Sequence, residues 1–313
     1  MKNILYQTRL LLSVAIALLI ISAKADKVAL KYNLTVGNTY KTKTLTDQVM
    51  EQSIMGQQQT IKNRMEGITA FKVQGVEGNT IVLDTWYEKL TMSVETPMGN
   101  FMMDSDKPDD TNPGSKVLSK LMNKHFTIKM AINGEIIDVI GSDTIMEDAF
   151  NEISSANNMQ ISIIKERVKQ FVKKESLKGS LEIAIRCFPD KPVSIGDTWT
   201  NQLELVSIMP TQINNTWKLT DIKEGVSFLE CKSTLKSKED SPAQNMNGIQ
   251  IKYNITGEQQ TVSKIDEKTG WVIESTMNQE ISGEIIADLS AQGGGNQKFP
   301  ITMKSKTIIT GIK

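Results

Sequence analysis

Apolar and polar residues alternate through most of this chain. Tyr40-Lys-Thr-Lys-Thr-Leu-Thr, Thr80-Ile-Val-Leu-Asp-Thr-Trp-Tyr and Gly270-Trp-Val-Ile-Glu-Ser-Thr-Met are rich in β-branched and aromatic residues at a period of two, the pattern of half-buried strands. A first strand is expected around Val28 to Leu34. Asn133-Gly134 separates Thr127-Ile-Lys-Met-Ala-Ile from Glu135-Ile-Ile-Asp-Val-Ile, which predicts a hairpin with a tight turn. Glu77-Gly78-Asn79, Glu224-Gly225 and Lys268-Thr269-Gly270 mark further turns, and Gly293-Gly-Gly295 reads as a turn between strands.

Helical periodicity is confined to two places. Asn112-Pro113 can open a short helix with Val117, Leu118, Leu121 and Met122 as its apolar stripe. From Asp143 to Lys174, Ile145, Met146, Ala149, Phe150 and Ile153 share one helical face. After Asn157-Asn158, Ile161, Ile164, Val168 and Phe171 share another.

The helical stretch divides two blocks with parallel features. Gly37-Asn-Thr-Tyr40 matches Gly196-Asp-Thr-Trp199 at an offset of 159. Gly78 to Asp84 aligns with Gly225 to Cys231 at 147, and the turn at Gly134 with Gly270 at 136. The falling offset implies extra residues in the first block, and Pro97 to Lys124 is the piece without a counterpart. The fold class expected is therefore mainly β (α+β): two related antiparallel curved-sheet units joined by a helical segment. The expected division is 1–25 a signal peptide, 26–142 a first β unit with a loop and helix inserted near 97–124, 143–178 a helical connector, and 179–313 a second β unit. Related halves of this kind are expected to pair their sheets about a pseudo-twofold axis.

The leader changes the picture of where these units work. Lys2 and Arg9 precede an uncharged run of 14 residues, Leu10 to Ala23, followed by Ala23-Lys24-Ala25. This is the tripartite pattern of a secretory signal, with cleavage between Ala25 and Asp26. The run is short of the ~20 residues needed to span a bilayer, and no later run comes closer. No cysteine near the cleavage point supports a lipid anchor. The expectation is a soluble periplasmic or secreted protein.

Charge excludes more than it suggests. The chain has 36 basic and 36 acidic residues, and losing Lys2, Arg9 and Lys24 with the leader leaves a net charge of −3. Nothing in that balance attracts nucleic acid or an anionic membrane. Phosphate-binding loops and dinucleotide fingerprints are absent, and no cofactor is implied.

Candidate chemistry is sparse. His125 is the single histidine and stands without a Gly-x-Ser-x-Gly elbow, so a structural or surface role is expected and no catalytic residue is nominated. Asp104, Asp106, Asp109 and Asp110 form an acidic cluster suited to calcium. However, the spacing is not that of an EF-hand, and Lys107 and Pro108 interrupt it, so a solvated acidic loop is the plainer reading. Cys187 and Cys231 can form one disulfide in an oxidising compartment or remain buried thiols. Methionine is abundant. Met98, Met102 and Met103 flank the acidic loop, and Met92, Met130 and Met277 fall in strands. Such side chains fill cores, line adaptable apolar surfaces or, when closely clustered, bind soft metals.

Leu30-Lys-Tyr-Asn-Leu-Thr-Val-Gly-Asn-Thr-Tyr40, Phe188-Pro-Asp-Lys-Pro-Val-Ser-Ile-Gly-Asp-Thr-Trp199 and Ile265-Asp-Glu-Lys-Thr-Gly-Trp271 resemble an uncharacterised, domain-of-unknown-function family of exported proteins from Bacteroidetes-type bacteria. That resemblance implies export and a β-rich build and carries no activity. The pattern is also similar to the curved-sheet lipoprotein-carrier group, which holds acyl chains against a concave sheet. Neither resemblance transfers a site residue. The expected function is non-enzymatic binding of a lipid, another apolar ligand or an envelope protein partner. The alternatives are a secreted hydrolase whose carboxylates meet only in the fold, and a structural or adhesion module.

Overall fold

Alternating sequence becomes alternating burial. In β8 (Thr211–Lys223), Thr211, Ile213, Asn215, Trp217 and Leu219 are buried, and the residues between them reach outward. β9 (Val226–Ser237) repeats the pattern with Ser227, Leu229, Cys231, Ser233 and Leu235. Each strand thus has one core face and one solvent face, as a period of two requires. The computed structural model describes residues 27–54, 56–97, 99–109, 112–145, 173–206, 209–238, 241–246, 248–290 and 293–312.

The remaining strands are β1 (Thr39–Ile54), β2 (Gln57–Glu77), β3 (Thr80–Thr96), β4 (Gly99–Asp104), β5 (Phe126–Ala131), β6 (Ile136–Ile140), β7 (Thr198–Leu205), β10 (Gln244–Met246), β11 (Ile249–Asp266), β12 (Val272–Asp288) and β13 (Asn296–Ile312). All thirteen join one curved antiparallel sheet that does not close. Its order is β6-β5-β3-β2-β1-β13-β12-β11-β9-β8-β7, with β4 paired to β3 and β10 to β11.

The order 6-5-3-2-1 of the first unit recurs as 12-11-9-8-7 in the second. The repeat is a tandem one. A pseudo-twofold arrangement would place β1 beside β7, whereas β7 lies at the far edge, so that expectation is corrected. Strand direction explains both the middle and the edges. Neighbours are antiparallel throughout, so β1 and β12 run the same way. β13 lies between them and completes an antiparallel ladder with each. The edge strands β6 and β7 also run the same way, so antiparallel pairing cannot close the barrel.

A helix fills that seam. α2 (Lys174–Ile185) packs against both β6 and β7. Lys174 pairs with Asp138 on β6. Ser176 Oγ donates to Val206 O at 2.6 Å just beyond β7. Gly179 lets the helix approach β7: a Cβ there would lie 2.7 Å from Glu204 O. α2 runs past the connector's expected end at 178. The expected apolar faces Met146–Ile153 and Ile161–Phe171 lie outside the described residues.

The short helix forms as its sequence directs. α1 (Pro113–Leu121) is capped by Asn112, whose side chain accepts from Ser115 N at 3.1 Å, and it buries Val117, Leu118 and Leu121. The expected first strand differs. Leu30, Tyr32 and Leu34 are buried in alternation, yet only Val28 forms a bridge, to Val193. Tyr32 N donates to Ile132 O and Asn33 N to Thr269 O, so consecutive bonds go to different turns and no ladder forms. This segment crosses the base of the curved sheet, where the β2–β3, β5–β6, β8–β9 and β11–β12 turns gather.

Two glycines at that base have no substitute. Gly134 (φ +92°) and Gly270 (φ +71°) adopt the left-handed region. A Cβ at Gly134 would lie 2.2 Å from Ile185 O, and one at Gly270 2.3 Å from Lys31 O. The segment leading into each unit therefore packs on the corresponding turn of the other.

Candidate binding surface on the core face of the sheet

One core cluster joins Ile128 on β5, Ile136 on β6, Leu219 on β8 and Leu229 on β9. These strands lie towards opposite ends of the sheet order, so the core face is the concave one. Phe188 and Trp271 fill its base, with ring centroids 4.9 and 6.2 Å from Tyr32. A second cluster, nearer the rim, contains Leu203, Ile213, Leu235, Ile255, Ile281, Ile301 and Met303, with Met50, Ile183 and Tyr253 against it.

Between the clusters runs a band of neutral polar side chains. Strand register places Asn63, Gln48 and Ser305 in one cross-strand row on β2, β1 and β13. The row continues through Gln279, Gln259, Ser233, Asn215 and Asn201 on β12, β11, β9, β8 and β7. Asn63 Nδ2 donates to Gln48 Oε1 at 2.8 Å, Gln279 Nε2 to Gln259 Oε1 at 3.0 Å and Asn215 Nδ2 to Asn201 Oδ1 at 2.8 Å. In the second unit the middle of the row is buried, Gln259 and Asn215 at 5% exposure and Ser233 at 4%, while Gln279 and Asn201 are half-buried. Gln48 and Asn63 in the first unit are half-buried.

Charge divides the two faces. Among the described strand residues, no Asp, Glu, Lys or Arg projects onto the core face; the registers place them on the opposite one. There they form cross-strand pairs, including Arg64–Asp47 at 3.0 Å, Lys43–Glu66 at 3.0 Å, Lys298–Glu284 at 2.9 Å and Lys304–Glu280 at 3.2 Å. Such exposed pairs add little stability. They do make the convex face the charged one.

Where ionisable groups reach the interior, burial governs them. Glu182 on α2 is 4% exposed. Burial raises its pKa, opposed by the Ile136 N–H that it accepts at 2.9 Å and by Arg186 at 3.8 Å. Cys187 and Cys231 carry free thiols in the base cluster. Burial pushes Cys187 up to about 12 and Cys231 to about 11, which leaves both protonated and unreactive at neutral pH. Trp217 Nε1 is buried with no hydrogen-bond partner among the described residues. Trp217 stands two positions from Asn215 and so projects from the same face of β8.

The other sequence candidates lie elsewhere. Asp104 Oδ1 accepts from Asp106 N at 3.0 Å, Asp106 pairs with Lys89 at 3.1 Å, and Asp109 bridges to Asn112. The Asp104 and Asp106 carboxylates and the Asp109 backbone thus organise the turn into α1. No group of three or more metal-binding side chains occurs among the described residues; Asp110, Met98 and the cleavage point Ala25–Asp26 lie outside them. His125 stacks on Trp86 with ring centroids 4.6 Å apart and meets Asp84 through Nδ1 at 3.0 Å, half-exposed on the convex side. Met103 packs with Leu118 and Leu121 of α1 and is in register with Met92, which pairs with Met65. A cleft of about 130 Å³ between the leading segment and the β2–β3 turn is lined by Tyr32, Asn79, Ile81 and Ile132, small beside ligand pockets of roughly 300 Å³ and more.

The polar band escaped the sequence reading. Its trace was present as amides and hydroxyls in alternation, Thr44-x-Thr46-x-Gln48 and Gln259-x-Thr261-x-Ser263, but only register shows that separate strands align them in one row.

The chain belongs to the DUF6263 family, a family of unknown function whose model matches residues 78–272, from the β2–β3 turn to the start of β12. No curated protein matches the sequence at a significant level. Among solved structures, a lipovitellin entitled for its lipid–protein interactions is 9% identical with a TM-score of 0.47; the match covers 90% of this chain and 26% of that one. This chain thus spans about a quarter of the lipovitellin's length. The COG4313 outer membrane channel from Pseudomonas putida F1 is 7% identical with a TM-score of 0.28, covering 90% and 97% of the two chains.

Proposed function

We propose that this DUF6263 member is an exported, non-enzymatic binding protein that holds an apolar ligand against the concave face of its sheet. The leader ending at Ala25 would deliver it, and the mature chain from Asp26 would work in water in the periplasm or outside the cell. One observation carries the reading: the strands place their charged residues on the convex face and keep the concave face free of them. A membrane barrel requires the reverse, an apolar outer band, whereas a carrier requires an uncharged interior and a solvated exterior.

Native mass spectrometry of the protein purified from its own host tests the reading. The expected result is a co-purifying apolar compound, together with a mature N-terminus at Asp26. Protein that carries no such compound and fails to bind any lipid probe would overturn the binding reading. An intact leader on the mature protein would overturn the route of export.

A further inference from the structure

The geometry points to an electrically neutral glyceride, two acyl chains esterified to an uncharged head, as the class of ligand, an inference that rests on the concave-face reading above. Three features carry it. The concave face is apolar at the base, neutral-polar in the middle and apolar again toward the rim, which matches a molecule whose hydrogen-bonding groups lie between stretches of hydrocarbon. The middle band is built of amides and hydroxyls, which satisfy ester and hydroxyl oxygens but cannot balance a charge. Trp217 Nε1 adds a buried donor beside Asn215 that no described residue uses, and an ester carbonyl is an acceptor suited to it.

The missing partner is as informative as the groups present. An anionic phospholipid or fatty acid brought onto this face would lose its hydration, and among the described strand residues no Lys or Arg projects there to receive it. Glu182, which α2 brings to the seam, accepts from Ile136 N and lies beside Arg186, so it offers an anion nothing. Burying an unpaired charge is disfavoured far more than burying a hydrogen-bonded neutral group.

Titration calorimetry of the mature protein with 1,2-dioctanoylglycerol and with dioctanoyl phosphatidate tests this, because the two share their acyl chains and differ in head-group charge. The neutral lipid is expected to bind at least about tenfold more tightly. Equal or tighter binding of phosphatidate would overturn the glyceride assignment and leave the binding surface standing; binding of neither would overturn the surface itself. Gln48→Lys, at a half-buried position on β1, places a cation in the polar band and is expected to reverse the preference in favour of phosphatidate. A folded Gln48→Lys protein with unchanged preference would show that the band does not set ligand charge.

Discussion

A single cross-strand row runs from Leu203 on β7 through Ile213, Leu235, Gly257, Ile281 and Met303 to Met50 and Ile61 on β1 and β2. In the second unit its side chains are almost fully buried: Ile213 is 1% exposed and Leu203 3%. In the first unit Met50 and Ile61 are only half-buried. The polar row beside it is buried at Asn215, Ser233 and Gln259 and half-buried at Asn201 and Gln279, as it is at Gln48 and Asn63 in the first unit. Two units with one strand order therefore do different work. Along this rim row the second unit supplies the packed part of the wall and the first the more open part, whereas at the base Ile81, Ile128 and Ile136 of the first unit are as buried as Leu219 and Leu229 of the second. Identical topology does not confer identical burial, because burial depends on what lies opposite each strand.

The most direct way to break this comparison is to truncate one row at both ends. Ile213→Ala should cost about 2 to 5 kcal/mol of unfolding free energy, as for other core truncations. Ile61→Ala should cost about 1 kcal/mol, since much of its surface is already wet. Equal losses in denaturant titrations would remove the distinction between the units. The base turns should behave alike instead. Gly134→Ala and Gly270→Ala each combine a left-handed backbone with a clash against the other unit's leading segment, at about 2 to 4 kcal/mol apiece. A large loss at one turn and none at the other would show that the reciprocal packing is not shared.

Asn112→Ala probes a feature confined to the first unit. It removes the α1 cap and the bond from Asn112 Nδ2 to Met102 O, and a loss of about 1 kcal/mol in thermal melts is expected, with the second-unit core unaffected. The seam helix gives a pH-dependent outcome. Burial raises the Glu182 pKa in the fold, so the folded state binds more protons than the unfolded one between its ordinary value of 4.5 and the raised value. Stability should fall as pH rises through that window. Glu182→Gln keeps an acceptor for Ile136 N and should flatten the slope; an unchanged slope would assign it to another group. The smallest effect is expected at the exposed Lys304–Glu280 pair, where Lys304→Gln should shift stability by less than about 0.5 kcal/mol.

Much of the local structure was legible in the residues. Alternation marked the strands, Asn133-Gly134 marked the β5–β6 hairpin, and Asn112-Pro113 marked the start of α1, because each signal acts within a few residues of itself. The matching glycine turns also foretold two β units of one design. The segment Val28–Leu34 shows the limit of this reasoning. A strand is expected there, and Leu30, Tyr32 and Leu34 are indeed buried in alternation, but a strand also needs one continuous hydrogen-bonding neighbour, and here the partners are Val193, Ile132 and Thr269 in turn.

By itself the sequence determined which residues turn inward, where the chain reverses and that its charges alternate with neutral positions; these follow from backbone geometry and side-chain chemistry along a few consecutive residues. Tertiary structure decided the rest. The tandem order of the units follows from β13 completing antiparallel ladders with both β1 and β12. The seam filled by α2 follows from edge strands that run the same way. The neutral band exists only because register lines up amides from separate strands. Strand pairing is a long-range choice, made by hydrogen bonds and burial between residues up to hundreds of positions apart, and no local pattern contains it.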